Sequence, residues 1–265
     1  MELDLKNLIK FNITKRIFST ILALPIIFFC IFYGSFYLKI LIILVSFLLS
    51  IEWFLLTQKK FNKEMFFFIF LIILNLFICF SLDFIFSVLL TMFFSLIYII
   101  NKPYKQNIWL FYGLLYICIP LLIFFKINNL ENGTNIIIWF LITIWSTDTL
   151  SFLFGNLIKG PRIFPDLSPS KTYSGTIFGI FFGSIIGLIS FIHIFNSSNN
   201  FFLFYLFSLL LSFSALIGDL IISKIKRYFN VKDSSKILPG HGGFLDRYDS
   251  ISFGFIVLFF LVYFI

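Results

Sequence analysis

The sequence predicts an all-α polytopic membrane protein with about nine transmembrane helices, the N-terminus cytoplasmic and the C-terminus outside. Three observations predict it. Hydrophobic residues make up 60% of the chain and charged residues only 12%, and the mean hydropathy is +1.04, more apolar surface than a water-soluble fold buries. Apolar runs of roughly 16 to 22 residues recur along the whole length, close to the ~20 residues that cross a bilayer as a helix. Basic residues, finally, fall almost entirely in alternate gaps between those runs, as the positive-inside rule requires of short loops.

The first run, 17 to 33, follows Lys6, Lys10, Lys15 and Arg16. Gly34 and Ser35 separate it from a second run at 36 to 56, so it reads as a span and not as a cleavable signal peptide. Lys59, Lys60 and Lys63 then precede a close pair of spans at 66 to 82 and 84 to 100. Lys102 and Lys105 lead into the fifth span, 108 to 126. The sixth span, 135 to 155, ends in the polar loop NLIKGPRIFPDLSPSKTYSG, with Lys159, Arg162 and Lys171. The seventh, 176 to 196, and the eighth, 201 to 222, are joined by the bland segment NSSNN. A second long loop, SKIKRYFNVKDSSKILPGHGGFLDRYDS, leads into the ninth span, 249 to 265. With the N-terminus inside, 18 of the 20 basic residues are cytoplasmic, leaving only Lys39 and Lys126 outside. The very short breaks within the first two pairs also permit seven or eight crossings with one re-entrant pair.

The net charge of +8 is accounted for by this topology and by attraction to anionic headgroups, so no nucleic acid is called for. The 43 phenylalanines accompany many Ile, Asn and Lys residues, the signature of A/T-rich codons filling a lipid-facing surface. Cys30, Cys79 and Cys118 lie inside apolar runs, far apart, and read as packing residues. Asn132-Gly133-Thr134 has the form of a glycosylation triplet, a pattern short enough to arise by chance. Gly175, Gly179, Gly183 and Gly187 recur every four residues along the seventh span, a smooth stripe where another backbone can approach. It serves either packing within one subunit or a homodimer.

The unusual chemistry is in the two cytoplasmic loops. A helix continuing out of the eighth span puts Asp219, Ser223, Lys226 and Arg227 on one face. Asp219 follows Gly218 within an apolar run, where a charge is costly without a metal ion or a basic partner. Lys232 and Asp233 follow, then Pro239-Gly240-His241-Gly242-Gly243. Glycines beside a histidine let backbone approach a ligand, and their N–H groups suit phosphate oxygens. Asp246 and Asp249 stand three apart and share a helix face if the ninth span has begun by then. Such hard oxygen donors suit Mg2+, which takes one or two carboxylates together with substrate phosphates.

The run from Ser223 to Asp249, S-x-I-K-R-x4-K-D-x-S-x2-L-P-x-H-G-G-F-x-D-R-Y-D, resembles the motif of the phosphatidate cytidylyltransferases, or CDP-diacylglycerol synthases. Tyr248 departs from it, standing where a smaller aliphatic residue is expected. Weaker echoes are Glu52-Trp53, Asp148-Thr149 with Phe152 and Gly155, and Ser168-Pro169-Ser170-Lys171-Thr172 with Gly175. The resemblance covers the C-terminal half well and the first 135 residues mainly in hydropathy. It divides the chain into N-terminal helices, 1–135, and a catalytic transmembrane region, 136–265, carrying both loops.

The resemblance implies an enzyme of phospholipid biosynthesis in the cell membrane, its active site facing the cytoplasm, converting CTP and phosphatidate to CDP-diacylglycerol and pyrophosphate. It implies Asp219 and Asp246 as magnesium ligands with Asp249 in support, and Asp219, Asp246, Lys226 and His241 as catalytic residues. Ser223, Arg227, Lys232, Gly242, Gly243, Arg247 and Lys171 are the expected substrate-binding set. Asp148 either reaches the metal or balances a lysine. A sister enzyme using CTP on another lipid should lack the full 27-residue run. A transporter predicts polar residues along several spans and inverted repeats, which the sequence does not show, and a scaffold leaves the clustered acids and glycines unexplained.

Overall fold

The computed structural model describes residues 21, 23–101, 105–165, 167–196, 200–235 and 242–264. The N-terminal basic residues, Lys102 and the Pro239 to His241 stretch therefore lie outside the described residues. The described chain is helical nearly throughout: α1 (Ala23–Tyr33), α2 (Ser35–Gln58), α3 (Lys63–Ser81), α4 (Phe84–Asn101), α5 (Lys105–Asn128), α6 (Gly133–Ile158), α7 (Tyr173–Phe195), α8 (Phe201–Tyr228) and α9 (Leu245–Leu261). A 3-10 turn, Val262–Phe264, follows α9. Seven of these helices are long and apolar enough to cross a membrane, and the apolar stretches Ala23–Tyr33 and Phe84–Ile100 are shorter. The chain is thus a multi-pass membrane protein.

Local chemistry sets the boundaries. Gly34, at φ 53 and ψ −153, breaks α1 from α2 with a backbone that a side chain would strain. The Asn62 side chain accepts from the Met65 N–H at 3.2 Å to start α3. The Thr172 hydroxyl likewise accepts from the Gly175 N–H at 3.2 Å to start α7. One element departs from the all-α expectation. The loop after α6 folds into an antiparallel hairpin of β1 (Arg162–Phe164) and β2 (Ser168–Thr172), pairing Arg162 with Thr172 and Phe164 with Ser168.

The chain forms two compact units. The first comprises residues 1–118 and 231–247, the second 119–230 and 248–265. In the first, Trp53 stacks on Tyr116 at 5.2 Å between ring centroids and donates its indole N–H to the Trp109 carbonyl at 2.8 Å. A Cβ at Gly113 would run into that indole ring. Asn75 on α3 donates to Thr91 on α4 at 2.6 Å, a polar tie where apolar faces alone have no preference between protein and lipid.

In the second unit α7 packs on α6 and α8. The glycine stripe makes this possible: a Cβ at Gly179 would overlap Ser151, one at Gly183 would overlap Thr147, and one at Gly187 would overlap Thr143 and Ser208. The stripe expected to serve either internal packing or a homodimer is therefore filled from within the chain, mainly by small residues of α6 that recur with the same period of four. Trp139 on α6 donates to the Gly187 carbonyl at 3.0 Å, and Thr147 donates to Ser212 of α8 at 2.8 Å.

Candidate active site

Helix α8 runs without a break to Tyr228, six residues beyond the predicted span, and so carries Asp219, Ser223, Lys226 and Arg227 on one helical rod. Ser223 donates to Asp219 Oδ1 at 3.3 Å, as the spacing of four predicted. Gly218 matters for what comes next to them. A Cβ there would strike the Asp249 carbonyl, so α8 and the stretch of α9 from Tyr248 onward touch backbone to backbone at this level. Asp249 is buried, with Asp219, Asp148 and Lys226 all within electrostatic reach. Asp148 Oδ2 accepts from the Ser250 hydroxyl at 2.9 Å, and Asp249 Oδ1 accepts from the Ser250 N–H at 2.8 Å.

The hairpin completes this cluster. Lys171 on β2 forms an ion pair with Asp219 Oδ2. Arg227 donates through Nε to the Leu167 carbonyl in the hairpin turn at 3.2 Å, tying the end of α8 to the strands that hold Lys171. Lys226 is buried. The second unit thus gathers three carboxylates, Asp148, Asp219 and Asp249, with two ammonium groups, Lys171 and Lys226. Of the three acids only Asp249 is buried, Asp148 being exposed and Asp219 partly so, and carboxylates this close repel one another unless cations balance them.

The first unit holds the Gly242 to Asp246 segment differently. Gly242 sits at φ +85, a conformation that favours glycine, and a Cβ on Gly243 would overlap the Ser234 hydroxyl. Asp246 opens α9, and its Oδ2 accepts from the Ser234 N–H at 3.0 Å, the Ser234 hydroxyl at 3.2 Å and the Gly243 N–H at 3.0 Å. The Gly243 N–H, expected from sequence to be available to a phosphate, is thus engaged by a carboxylate of the same segment. Lys232 and Arg247 are exposed. His241 lies outside the described residues.

The residue that sequence reasoning named only as a weak echo of the motif, with no role, is Glu52. Its side chain is completely buried and receives four hydrogen bonds, from Ser234, Ser235, Phe244 and Leu245. The available signals were an acid near the end of an apolar span and the Glu52-Trp53 echo of the motif, and neither pointed to its partners. Ser234 was missed, as was the hairpin that presents Lys171.

Carboxylates and hydroxyls are hard oxygen donors and fit magnesium. Among the described residues no group of three or more His, Cys, Asp or Glu side chains is arranged as a complete metal cage. Magnesium seldom uses such a cage, since one or two carboxylates and the phosphates of a substrate suffice.

The model of the cytidylyltransferase family matches residues 14–265. The chain belongs to that family. A phosphatidate cytidylyltransferase of Rickettsia conorii is 42% identical over 166 residues, covering 60% of this chain and 71% of that protein. One from Rickettsia bellii is 41% identical over 167 residues, covering 61% and 72%. One from Helicobacter pylori is 43% identical over 133 residues, covering 50% and 49%. The family makes this chain an enzyme, a nucleotidyltransferase built on membrane-spanning helices.

Proposed function

We propose that the protein transfers the cytidylyl group of CTP to phosphatidate, giving CDP-diacylglycerol and pyrophosphate for phospholipid synthesis. The observation that carries this reading is the gathering of Asp148, Asp219 and Asp249 with Lys171 and Lys226 in a chain of the cytidylyltransferase family whose relatives are named for phosphatidate. A phosphate oxygen of the lipid attacks the α-phosphorus of CTP. The bond from that phosphorus to the bridging oxygen breaks, and the electron pair leaves with pyrophosphate. The attacking oxygen is already anionic, so no strong general base is needed. The work left to the protein is to bring two polyanions together and to stabilise the charge on the leaving group.

Asp219 and Asp246, with Asp249 in support, would hold magnesium. Bound there, the ion would neutralise phosphate charge and polarise the α-phosphorus. Lys226 and Lys171 act as cations toward the phosphates, Lys171 exchanging its partner Asp219 for substrate oxygen. Ser223 steadies Asp219 and can reach a phosphate. Arg227, Lys232 and Arg247 hold phosphates, the arginines through bidentate contacts. His241 donates to a phosphate, and Gly242 and Gly243 let the chain pass close to the substrate. Asp148 acts through Ser250 and Asp249.

The site faces the cytoplasm of the cell membrane, where CTP arrives from water and the lipid enters sideways. The nine-crossing arrangement with the N-terminus inside and the C-terminus outside is supported by the placement of 18 of the 20 basic residues.

The test is incorporation of label from radiolabelled CTP into the organic phase by detergent-solubilised protein with magnesium, using phosphatidate, diacylglycerol and a polyprenol as parallel acceptors. Label on phosphatidate alone supports the reading. Label on another acceptor moves the protein to a sister reaction, and no label from folded protein removes the activity.

A further inference from the structure

Glu52 sits near the end of α2 with no exposed surface, in a bundle whose neighbours are mostly apolar. A carboxylate in such a place is costly unless every acceptor position is used, and an apolar residue of similar size would serve packing as well. Its bonding is symmetrical. Oε1 accepts from the Ser235 hydroxyl at 2.5 Å and the Phe244 N–H at 2.7 Å. Oε2 accepts from the Ser234 hydroxyl at 3.0 Å and the Leu245 N–H at 2.7 Å. Each oxygen therefore joins one side chain from the Ser234-Ser235 segment to one peptide group at the start of α9. Those two peptide N–H groups are among the helix's orphan donors, and a carboxylate is the favoured partner at that end.

The next residue along is Asp246. Its Oδ2 accepts from the Ser234 hydroxyl at 3.2 Å, the same hydroxyl that lies 3.0 Å from Glu52. One hydroxyl hydrogen is shared between two carboxylates, and the peptide groups just before Asp246 are fixed by the first of them. We infer that Glu52 is a positioning residue, clamping the Ser234-Ser235 segment to the first turn of α9 so that the Asp246 carboxylate is held ready for the cation and phosphates. This rests on the reading of Asp246 as a magnesium ligand. Glu52 itself touches no reacting atom, because both its oxygens are turned to the protein.

The test uses Glu52→Gln. Whichever way the amide is turned, its NH2 group faces one hydroxyl, which can rotate to accept from it, and one peptide N–H, which cannot, so one peptide donor at the start of α9 loses its acceptor and is left facing a donor. The first readout is hydrogen exchange on metal-free, full-length protein in detergent. The Phe244 and Leu245 amides should exchange about tenfold faster or more than in the wild type, because local opening now starts from a broken bond. The second is kinetic: kcat falls and the magnesium concentration for half-maximal rate rises, each by about 10- to 100-fold, as when a group orienting a ligand is removed. The KM for phosphatidate should be unchanged, and Glu52→Asp, which keeps both oxygens, should recover part of the loss.

Asn75→Ala breaks a buried tie in the same unit and controls for general loosening. It should lower the thermal midpoint without moving the magnesium requirement. If Glu52→Gln does not accumulate as folded protein, Ser234→Ala carries the test: it removes only the shared hydroxyl and should raise the magnesium requirement in the same direction, by less. Wild-type exchange at Phe244 and Leu245 in Glu52→Gln, or an unchanged magnesium requirement in both variants, overturns the proposal. Should the wild type transfer no label from CTP, the reaction reading is what fails, and the exchange measurement on metal-free protein still decides the clamp.

Discussion

The two compact units treat their acids in opposite ways. In the second, Asp219 and Asp249 face cations: Lys171 is paired with Asp219, and Lys226 is within reach of Asp249. In the first, the four hydrogen bonds to Glu52 and the three to Asp246 described above come from neutral donors, peptide N–H groups and serine hydroxyls. A lysine on a long flexible stem can exchange one anion for another, whereas a set of backbone donors converging on one carboxylate fixes a geometry. The contrast separates acids that can change partners during turnover from acids that hold a shape. Asp246 belongs by its contacts to the second kind and by its motif to the first, so substitutions there tell the two behaviours apart.

The largest effect is therefore expected at the acids assigned to the metal. Chelation with EDTA should take CTP-dependent labelling to background, and added magnesium should restore it. Asp219→Asn should lower kcat by about 10^2- to 10^3-fold or more, the scale of losing one electrostatic contributor to a charged transition state. Asp246→Asn should match that loss while leaving folded protein in the membrane. Full activity in Asp246→Asn would remove it from the metal site and leave it as a loop anchor only.

A smaller effect is expected at Lys171. If its ammonium moves from Asp219 to a substrate phosphate, Lys171→Met should raise the KM for CTP by about tenfold, as one charge-assisted hydrogen bond of roughly 1.5–3 kcal/mol allows. A pure charge-balancing role predicts instead a change in magnesium requirement with the KM for CTP intact. Steady-state kinetics at saturating and limiting magnesium separates the two.

How much of this was legible in sequence follows from how local each signal is. The face shared by Asp219, Ser223, Lys226 and Arg227 was readable because it depends only on helical period, and Ser223 does bond Asp219. The glycine stripe was readable too, but its partner was left open although Thr143, Thr147, Ser151 and Gly155 repeat with the same period of four along α6. The hairpin was not readable. Its strands are three and five residues long, and Pro169 inside β2 argues against a strand by the usual rule. Glu52 was noticed as an echo of the motif, but its role was beyond reach for another reason, since its partners lie 182 to 193 residues away and no periodicity links an acid to donors at such separation. The N–H of Gly243 read as a phosphate donor because glycine near histidine suggests one, and only the fold reveals that Asp246 has taken it.

The smallest effects test whether the helical frame can be disturbed without touching the acids. Gly179→Ala forces a Cβ into Ser151 where α7 and α6 meet, and overpacking of this kind costs about 1–3 kcal/mol. Asn75→Ala removes the interhelical hydrogen bond to Thr91 and the side-chain contact with Cys118 in the other unit, where such bonds average about 0.6 kcal/mol and reach about 1.7. The thermal midpoint in detergent should therefore fall more for Gly179→Ala than for Asn75→Ala. In Asn75→Ala, turnover per folded molecule should stay at the wild-type level, because neither carboxylate group depends on that bond. A loss of turnover there, with the midpoint unchanged, would show that the frame of the first unit tunes the Asp246 carboxylate directly, and the distinction between acids that exchange partners and acids that hold a shape would have to be redrawn around the whole helix pair.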